Sequence, residues 1–184
     1  MIEGKQTRLR GAERSDLDYF VRWLNDPEVR AGLTLYLPIS MAEEQRWFES
    51  MLDRPWEEHP LVIEAQEGEG WTPIGNCGFH QIDWRSRTAD VGIFIGEKSY
   101  WNRGLGTDVM AVLLRHGFEN LNLNRVGLRV YEDNPRAIRV YEKAGFVHEG
   151  RLRQAMYNNG RYVDILLMSV LRSEWAGDSE QEAL

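Results

Sequence analysis

The chain has 184 residues, a hydrophobic fraction of 42%, a formal net charge of −7 and a single cysteine. This length favours one domain, and the acidic balance gives no electrostatic attraction to nucleic acid or to anionic lipid. Cys77 alone excludes an internal disulfide and a multi-cysteine zinc site. No apolar run approaches the roughly 20 residues of a membrane-spanning helix, and the first residues lack the apolar segment of a secretory signal. We therefore expect a cytoplasmic protein with no metal and with no nucleic-acid or membrane partner.

The chain begins with a predicted strand at residues 7–10 and a predicted helix. Ser15 stands in the position of an N-cap, with acidic residues in the turn that follows it. The apolar residues between Leu17 and Leu24 recur at the spacing of one helical face, and Asn25-Asp26-Pro27 ends the helix. Residues 27–39 are predicted to be irregular.

Ser40 and Glu43 have the spacing of a capping box and predict a second helix, which ends before Pro55. The later predicted elements are strands at 61–63, 74–82 and 89–95, a helix from 104, a strand at 126–130, a helix from 135 to 145, and two strands at 146–153 and 162–170 joined by a turn at 158–160. Hairpins in this order favour a mixed sheet over a parallel one. Residues 173–184 carry four acids and no base, so we predict one domain at 1–172 followed by an acidic tail.

The most informative stretch is residues 100–107, Tyr-Trp-Asn-Arg-Gly-Leu-Gly-Thr, where a predicted strand leads into a predicted helix. Gly104 and Gly106 let the backbone approach a ligand closely, and free N–H groups at a helix start suit a phosphate or pyrophosphate. Arg103 and the hydroxyl of Thr107 add a positive charge and a further donor. The stretch completes neither the P-loop nor the dinucleotide fingerprint. By itself it fits a purely structural turn equally well.

A second stretch, residues 134–146, predicts a helix that Asn134 and Pro135 begin and Gly145 ends. Ile138 and Tyr141 are three residues apart and share one face of it. Taken alone, Tyr141 is better explained as a core tyrosine with a satisfied hydroxyl than as a functional residue.

Together, the two stretches resemble the GNAT superfamily of acyl-CoA-dependent N-acetyltransferases. Residues 101–106 are similar to its pyrophosphate loop, Gln/Arg-x-x-Gly-x-Gly/Ala, with Trp101 in place of the Gln or Arg, and residues 134–146 are similar to its Asn…Ala…Tyr…Gly-Phe segment. Residues 145–164 resemble the branch of ribosomal-protein alanine and spermidine/spermine acetyltransferases. The resemblance covers about residues 7–171. It implies the GNAT fold, an α/β (α+β) domain with a mixed, mostly antiparallel sheet of about seven strands flanked by four helices.

The resemblance also implies acetyl-CoA as co-substrate and assigns roles to residues. Tyr141 would be the general acid that protonates the departing CoA thiolate. Phe94 and Ile95 would offer backbone groups to the pantetheine arm where two parallel strands splay apart. The full set implied to bind acetyl-CoA is Phe94, Ile95, Trp101, Asn102, Arg103, Gly104, Leu105, Gly106, Thr107, Asn134, Arg136, Ala137 and Lys143.

The sequence offers two candidates for the base that would deprotonate the amine. A primary alkyl amine is neutral in about one molecule in 2,500 at pH 7, so such a substrate needs a base or a water chain. Asp90 is one candidate, with a strand-edge charge as an equal alternative. His80 is a second candidate, although a packed or exposed histidine is the more common case.

The resemblance implies that Tyr36 and Glu44 bind the acceptor, because the segment around the first two helices lines the acceptor site in this fold. It also implies that Asp90 attracts the amine, because the polyamine branch has an acidic residue at the matching place. Glu43 already has a capping role, which leaves Glu44 as the freer carboxylate. Cys77 could be a nucleophile in principle, but a small buried strand thiol is the better explanation.

Two functional hypotheses follow. The first is an acetyl-CoA-dependent N-acetyltransferase that moves the acetyl group to a primary amine by direct attack in a ternary complex. The amine would be a polyamine, a protein N-terminus or a small amine. The alternative is a non-catalytic, regulatory acyl-CoA-binding module. Intact Tyr141, Gly104 and Gly106 favour the enzyme, and the resemblance adds a homodimer as a further expectation.

Overall fold

The computed structural model describes residues 1–158 and 160–175, and the predicted tail beyond residue 175 and Asn159 of the predicted turn lie outside the described residues. The strands are β1 (Ile2–Glu3), β2 (Thr7–Gly11), β3 (Leu61–Glu67), β4 (Gly70–Asp83), β5 (Thr88–Ile95), β6 (Arg125–Tyr131), β7 (Val147–Asn158) and β8 (Arg161–Leu171). The α-helices are α1 (Leu17–Leu24), α2 (Pro27–Arg30), α3 (Met41–Leu52), α4 (Leu105–Arg115) and α5 (Pro135–Lys143).

The strands form a mixed sheet in the order β1-β2-β3-β4-β5-β6-β8-β7. Strands β5 and β6 run parallel, whereas the pairs β1–β2, β2–β3, β3–β4, β6–β8 and β7–β8 are antiparallel. The predicted mixed, mostly antiparallel sheet is therefore confirmed. Within residues 1–158 and 160–175 there are one strand and one α-helix more than predicted, namely β1 and α2.

Two local predictions near the N-terminus are wrong. Ser15 does not cap the first helix, because it lies inside a short 3-10 turn whose N-cap is Glu13. The backbone N–H of Glu13 donates to Asp16 at 2.8 Å, so the carboxylate of Asp16 closes that turn before α1 begins. Residues 27–39 are not irregular throughout, because the carboxylate of Asp26 accepts the N–H of Glu28 at 2.9 Å and thereby caps α2.

The chain divides into two compact units, and the first comprises Met1–Phe79 and Gly92–Val109. In this unit the apolar faces of α1 and α3 pack together. Their buried cluster is Leu17, Phe20, Trp23, Val29, Phe48, Met51 and Val62. The predicted capping box of α3 is confirmed, because Glu43 accepts hydrogen bonds from the N–H and the hydroxyl of Ser40 at 2.8 and 2.9 Å.

The second unit comprises His80–Val91 and the chain from Met110 onward. Its sheet order is β5-β6-β8-β7, and its largest fully buried side chains include Phe118 and Leu123. At the C-terminal end, Trp175 packs on Phe118 with ring centroids 5.4 Å apart. Among the described residues, no helix is both long and apolar enough to cross a membrane.

Candidate active site

The glycine-rich stretch of the first unit forms a loop that ends as the N-terminus of α4. Gly104 has φ +81°, a left-handed conformation, and a Cβ added there would meet nothing within 4 Å. Glycine is therefore required by the backbone conformation and not by space. The carbonyl of Gly104 accepts the N–H groups of Thr107 and Asp108 at 3.0 and 3.1 Å. The N–H groups of Leu105 and Gly106 belong to the first turn, where no intrahelical acceptor exists, so they can donate to a ligand.

Trp101 ties this loop to the end of β5. Its indole Nε1 donates to the carbonyl oxygen of Ile95 at 2.7 Å, and its ring packs against the α1–α3 cluster. This contact gives a physical role to the tryptophan that departs from the Gln or Arg of the family pattern. It also means that the carbonyl of Ile95 already has a donor, so Phe94 and the N–H of Ile95 are the backbone groups left for a pantetheine arm.

Arg103 is exposed at the tip of the loop and lies over the ring of Tyr100, 4.9 Å from its centroid. The hydroxyl of Tyr100 in turn donates to Glu67 at 2.8 Å, and this hydrogen bond lowers the pKa of Glu67. The guanidinium of Arg103 is thus positioned by stacking at the start of α4, where the helix dipole favours an anion.

Two glycines outside the predicted motifs allow close packing at the C-terminal end of β5. A Cβ on Gly75 would lie 2.1 Å from the carbonyl oxygen of Phe94, and a Cβ on Gly96 would lie 2.2 Å from Cγ of Trp23. Both positions therefore need glycine for close approach. Gly75 lies within a predicted strand, where an isolated glycine is a known sign of such an approach, so that one could have been identified.

The parallel ladder between β5 and β6 is short. Its three pairs end at Asp90↔Gly127, although β5 continues to Ile95 and β6 to Tyr131. A Cβ on Gly127 would lie 2.7 Å from Oδ1 of Asp90. The carboxylate of Asp90 therefore lies over the backbone of β6, half-buried. His80, the other predicted base, lies on β4 and is exposed.

The second predicted motif forms α5 of the second unit. Asn134 caps it through Oδ1, which accepts the N–H of Ala137 at 3.1 Å, and Pro135 occupies the first turn. Gly145 follows the helix with φ +93°. The capping bond uses the amide oxygen of Asn134, so its Nδ2 group is the part suited to bind pantetheine. Of the two predicted cations on this helix, Arg136 is half-buried and Lys143 is exposed.

Tyr141 is buried on the inner face of α5 and packs on Phe146, with ring centroids 5.9 Å apart. Burial raises the pKa of Tyr141 to about 12. The phenol is consequently protonated throughout the physiological pH range, which a proton donor requires.

The two residues of the first unit that were predicted to bind the acceptor differ sharply in solvent exposure. Tyr36 is 84% exposed in the loop before α3. Glu44 is 4% exposed, and burial raises its pKa to about 7. The lone thiol, Cys77, is buried in β4 and burial raises its pKa, so the prediction of a small buried strand thiol is confirmed.

Comparison with known proteins assigns the chain to a family. The family model described as "Acetyltransferase (GNAT) domain" matches residues 6–147. The chain belongs to the GNAT acetyltransferase family. An uncharacterized N-acetyltransferase, p20 of Bacillus licheniformis, is 30% identical over 92% of this chain and 94% of its own length. YdaF of Bacillus subtilis, whose name refers to ribosomal N-acetylation, is 34% identical over 56% of each chain.

A solved structure supports the fold of the GNAT chain. The spermidine N-acetyltransferase of Vibrio cholerae, solved in complex with CoA and spermine, has a TM-score of 0.83 and 28% identity, and the match covers 92% of this chain and 97% of that one. The predicted fold class, the superfamily and an N-acetyltransferase type of enzyme are therefore confirmed.

Proposed function

We propose that this GNAT chain transfers the acetyl group of acetyl-CoA to a primary amine by direct attack in a ternary complex. The glycine loop of α4 carries the proposal, because it presents helix N–H groups beside an exposed arginine. The complex of the Vibrio cholerae relative with CoA and spermine supports both the co-substrate and an amine acceptor for a chain of this fold. A cytoplasmic location and a homodimer stay predictions.

The proposed roles follow the geometry of each unit. Leu105, Gly106 and Arg103 bind the pyrophosphate, and backbone groups of Phe94 and Ile95 bind the pantetheine arm. Asn134 adds its amide Nδ2 group. Acetyl-CoA supplies the activated thioester, and the lone pair of the neutral amine attacks its carbonyl carbon while the C–S bond breaks.

Tyr141 is proposed to supply the proton that the leaving thiolate needs. A thiol of pKa near 8.5 leaves with only modest help, so a protonated phenol is sufficient. Because burial raises the pKa of Tyr141 to about 12, its ionisation should not limit activity at any pH below about 11. Asp90 stays a candidate for the base through water, and His80 a weaker one because it is exposed.

Isothermal titration with acetyl-CoA and with CoA tests the proposal. We expect saturable binding that a Gly104→Ala/Gly106→Ala variant weakens at least tenfold, because a side chain at φ +81° strains the loop. Gly160→Ala is the matched control, since Gly160 also has a positive φ of +82° but lies in the turn between β7 and β8. Absence of binding by the wild-type protein would overturn the proposal, and binding without thiol release to any amine would favour a regulatory module.

Replacement of Tyr141 by phenylalanine separates binding from catalysis. We expect kcat to fall by about 100-fold with unchanged affinity for acetyl-CoA, because only the proton donor is lost. Tyr131→Phe is the control in the same unit, since Tyr131 is also buried and its hydroxyl has no partner among the described residues. An unchanged kcat in Tyr141→Phe would remove Tyr141 as the acid.

A further inference from the structure

Glu44 is a buried carboxylate on the packing face of α3. It precedes Phe48 by one turn and Met51 by two, and all three side chains are buried. Residues at this spacing lie on one side of a helix. Glu44 thus extends, with a charged group, a helix face that otherwise packs in the apolar cluster of α1 and α3.

The other buried carboxylates of the described chain have arginine partners. Glu64 accepts from Nε of Arg8 at 2.5 Å and from Nε of Arg10 at 2.8 Å. Asp16 accepts from both terminal nitrogens of Arg10 at 2.7 and 2.8 Å. Glu44 has neither an ion pair nor a side-chain hydrogen bond within residues 1–158 and 160–175. A buried carboxylate without a partner is costly, so it needs a reason to be there.

Helix capping does not supply that reason. Glu43, the preceding residue, already forms the capping box with Ser40. Glu44 is therefore not needed to begin α3, and its side chain is buried although it takes no part in the cap.

The surroundings of this helix face suit an organic cation. Aromatic rings from α1, α3 and β5 meet in the cluster, with Phe20 6.0 Å from Trp47 and Trp23 6.4 Å from Phe94. Ring faces attract ammonium groups, most strongly where water is excluded. Phe94 is also one of the residues proposed to bind the pantetheine arm, so the cluster adjoins the proposed position of the thioester.

From this geometry we infer that Glu44 binds the acceptor, an alkyl amine, as its ammonium ion, which completes the missing ion pair. The ammonium then gives one proton to the base of the proposed function, and the neutral amine attacks the thioester. The inference rests on the proposed acetyl transfer. It gives the acceptor a class, a cationic aliphatic amine, and it gives the first unit a residue for recognising it. Burial raises the pKa of Glu44 to about 7 in the free protein, and a bound ammonium would lower that pKa again because it favours the carboxylate.

The loop before α3 leads into the helix that carries Glu44. Its C-terminal end is held by Asn25, whose side chain accepts the N–H of Ile39 at 2.9 Å and donates to its carbonyl at 2.8 Å. Between these anchors and α2, residues 34–38 form no hydrogen bond with any residue that the structure describes. They can move aside without breaking one.

Titration of amines into the protein saturated with CoA tests the inference without requiring turnover. Spermidine and butylamine are the cationic probes, and butanol is the uncharged isostere of butylamine. We expect Glu44→Gln to weaken binding of both amines at least tenfold, with acetyl-CoA affinity unchanged. Butanol should not distinguish the two proteins. Glu49→Gln, which removes an exposed carboxylate of the same helix, should bind the amines like the wild type.

Several results would overturn the inference. One is equal amine binding by the wild type and Glu44→Gln, and another is no binding of either amine by the wild type. A third is equal loss of amine and acetyl-CoA binding in a Glu44→Gln protein that unfolds at the same urea concentration as the wild type, because Glu44 would then not act on the amine specifically. Failure of the proposed function is distinguishable, because it appears as absent acetyl-CoA binding in the wild type. Glu44→Asp should restore part of the amine affinity, since it keeps the charge.

Discussion

Two groups of buried carboxylates in the first unit are built in opposite ways. At the β2–β3 pair, Glu64 and Asp16 both form ion pairs with the guanidinium of Arg10, and Glu64 forms a second ion pair with Arg8. On α3, Glu44 is equally buried and has no cation among the described residues. The exposed fractions are 5%, 3% and 4%, so burial alone does not separate them. The difference lies in the partner: Glu64 and Asp16 have arginines and stabilise the fold, whereas Glu44 is the carboxylate that we propose to bind a ligand.

The two carboxylates that have arginine partners, Asp16 and Glu64, have a structural role. Asp16 closes the 3-10 turn before α1 through the N–H of Glu13 and holds Arg10 against β2. These carboxylates raise the pKa of the Arg10 guanidinium, chiefly through the hydrogen bond to Asp16. The network connects a strand, a turn and a second strand, and each charge in it is compensated. Glu44 has no ion-pair partner among the described residues, and the proposed ammonium group would compensate its charge.

The largest expected effect comes from breaking the paired group. Arg10→Met should destabilise the protein by about 3–5 kcal/mol, because it leaves two buried carboxylates short of their shared cation. Urea unfolding at pH 7 measures this as a lower midpoint with an unchanged slope. Arg22→Met is the control, because its pair with Glu97 is exposed and should contribute less than about 1 kcal/mol. A loss below about 1 kcal/mol in Arg10→Met would remove the distinction between the two groups.

The pH dependence of stability tests the unpaired group. The pKa of Glu44 is raised from 4.5 to about 7 in the folded protein, so between these values the folded state binds more protons than the unfolded one. Stability from this group is therefore fully present below about pH 4.5 and is lost as the pH rises through about 7. The loss should be on the order of 1–3 kcal/mol, because water that reaches the carboxylate screens part of the effect.

Unfolding of the wild type and of Glu44→Gln from pH 4 to 8 isolates this contribution, because other groups cancel in the difference. Glu44→Gln should be the more stable protein at pH 8 and should gain nothing at pH 4. Parallel profiles over the whole range would show that Glu44 is compensated after all.

Much of the fold could be predicted because its signals are local. The capping box of α3, the proline start of α5 and the glycine after it depend on residues a few positions apart. The wrong prediction of Ser15 as an N-cap is also local, but there two neighbouring residues compete to close the same turn. Ser15 matches a cap by type, yet Asp16 closes the turn one residue later because Arg10, from another element, holds its carboxylate.

The candidate site was predicted unevenly for a physical reason. The glycine loop and the Asn134 cap depend on backbone conformation and on residues close together in the sequence. A short motif is therefore enough to predict them. The burial of Glu44 and the missing partner depend on where α3 packs, which no motif encodes. The sequence could separate Glu43 from Glu44 by the capping rule, but not the buried, unpaired state of Glu44.

A smaller effect is expected from the cap itself. Ser40→Ala removes the hydroxyl that accepts the N–H of Glu43 at 3.3 Å and donates to its carboxylate at 2.9 Å. The loss should be about 1 kcal/mol, measured by urea unfolding. Hydrogen bonds from Ser40 lower the pKa of Glu43, so the variant should also raise that pKa toward its usual value. Amine binding should be retained, and its loss would assign acceptor recognition to the cap instead of to Glu44.

The smallest effect is expected from Glu49→Gln. Glu49 lies on the exposed side of α3 and pairs with Arg14, and both side chains are more than half exposed. Such pairs contribute little because water screens them, so the unfolding free energy should change by about 0.5 kcal/mol or less, and less still at high salt. Glu44→Gln and Glu49→Gln remove the same charge from the same helix. Equal losses of amine affinity in the two variants would therefore mean that the amine responds to the net charge of α3. A loss confined to Glu44→Gln would mean that it requires the one carboxylate that is buried without a partner.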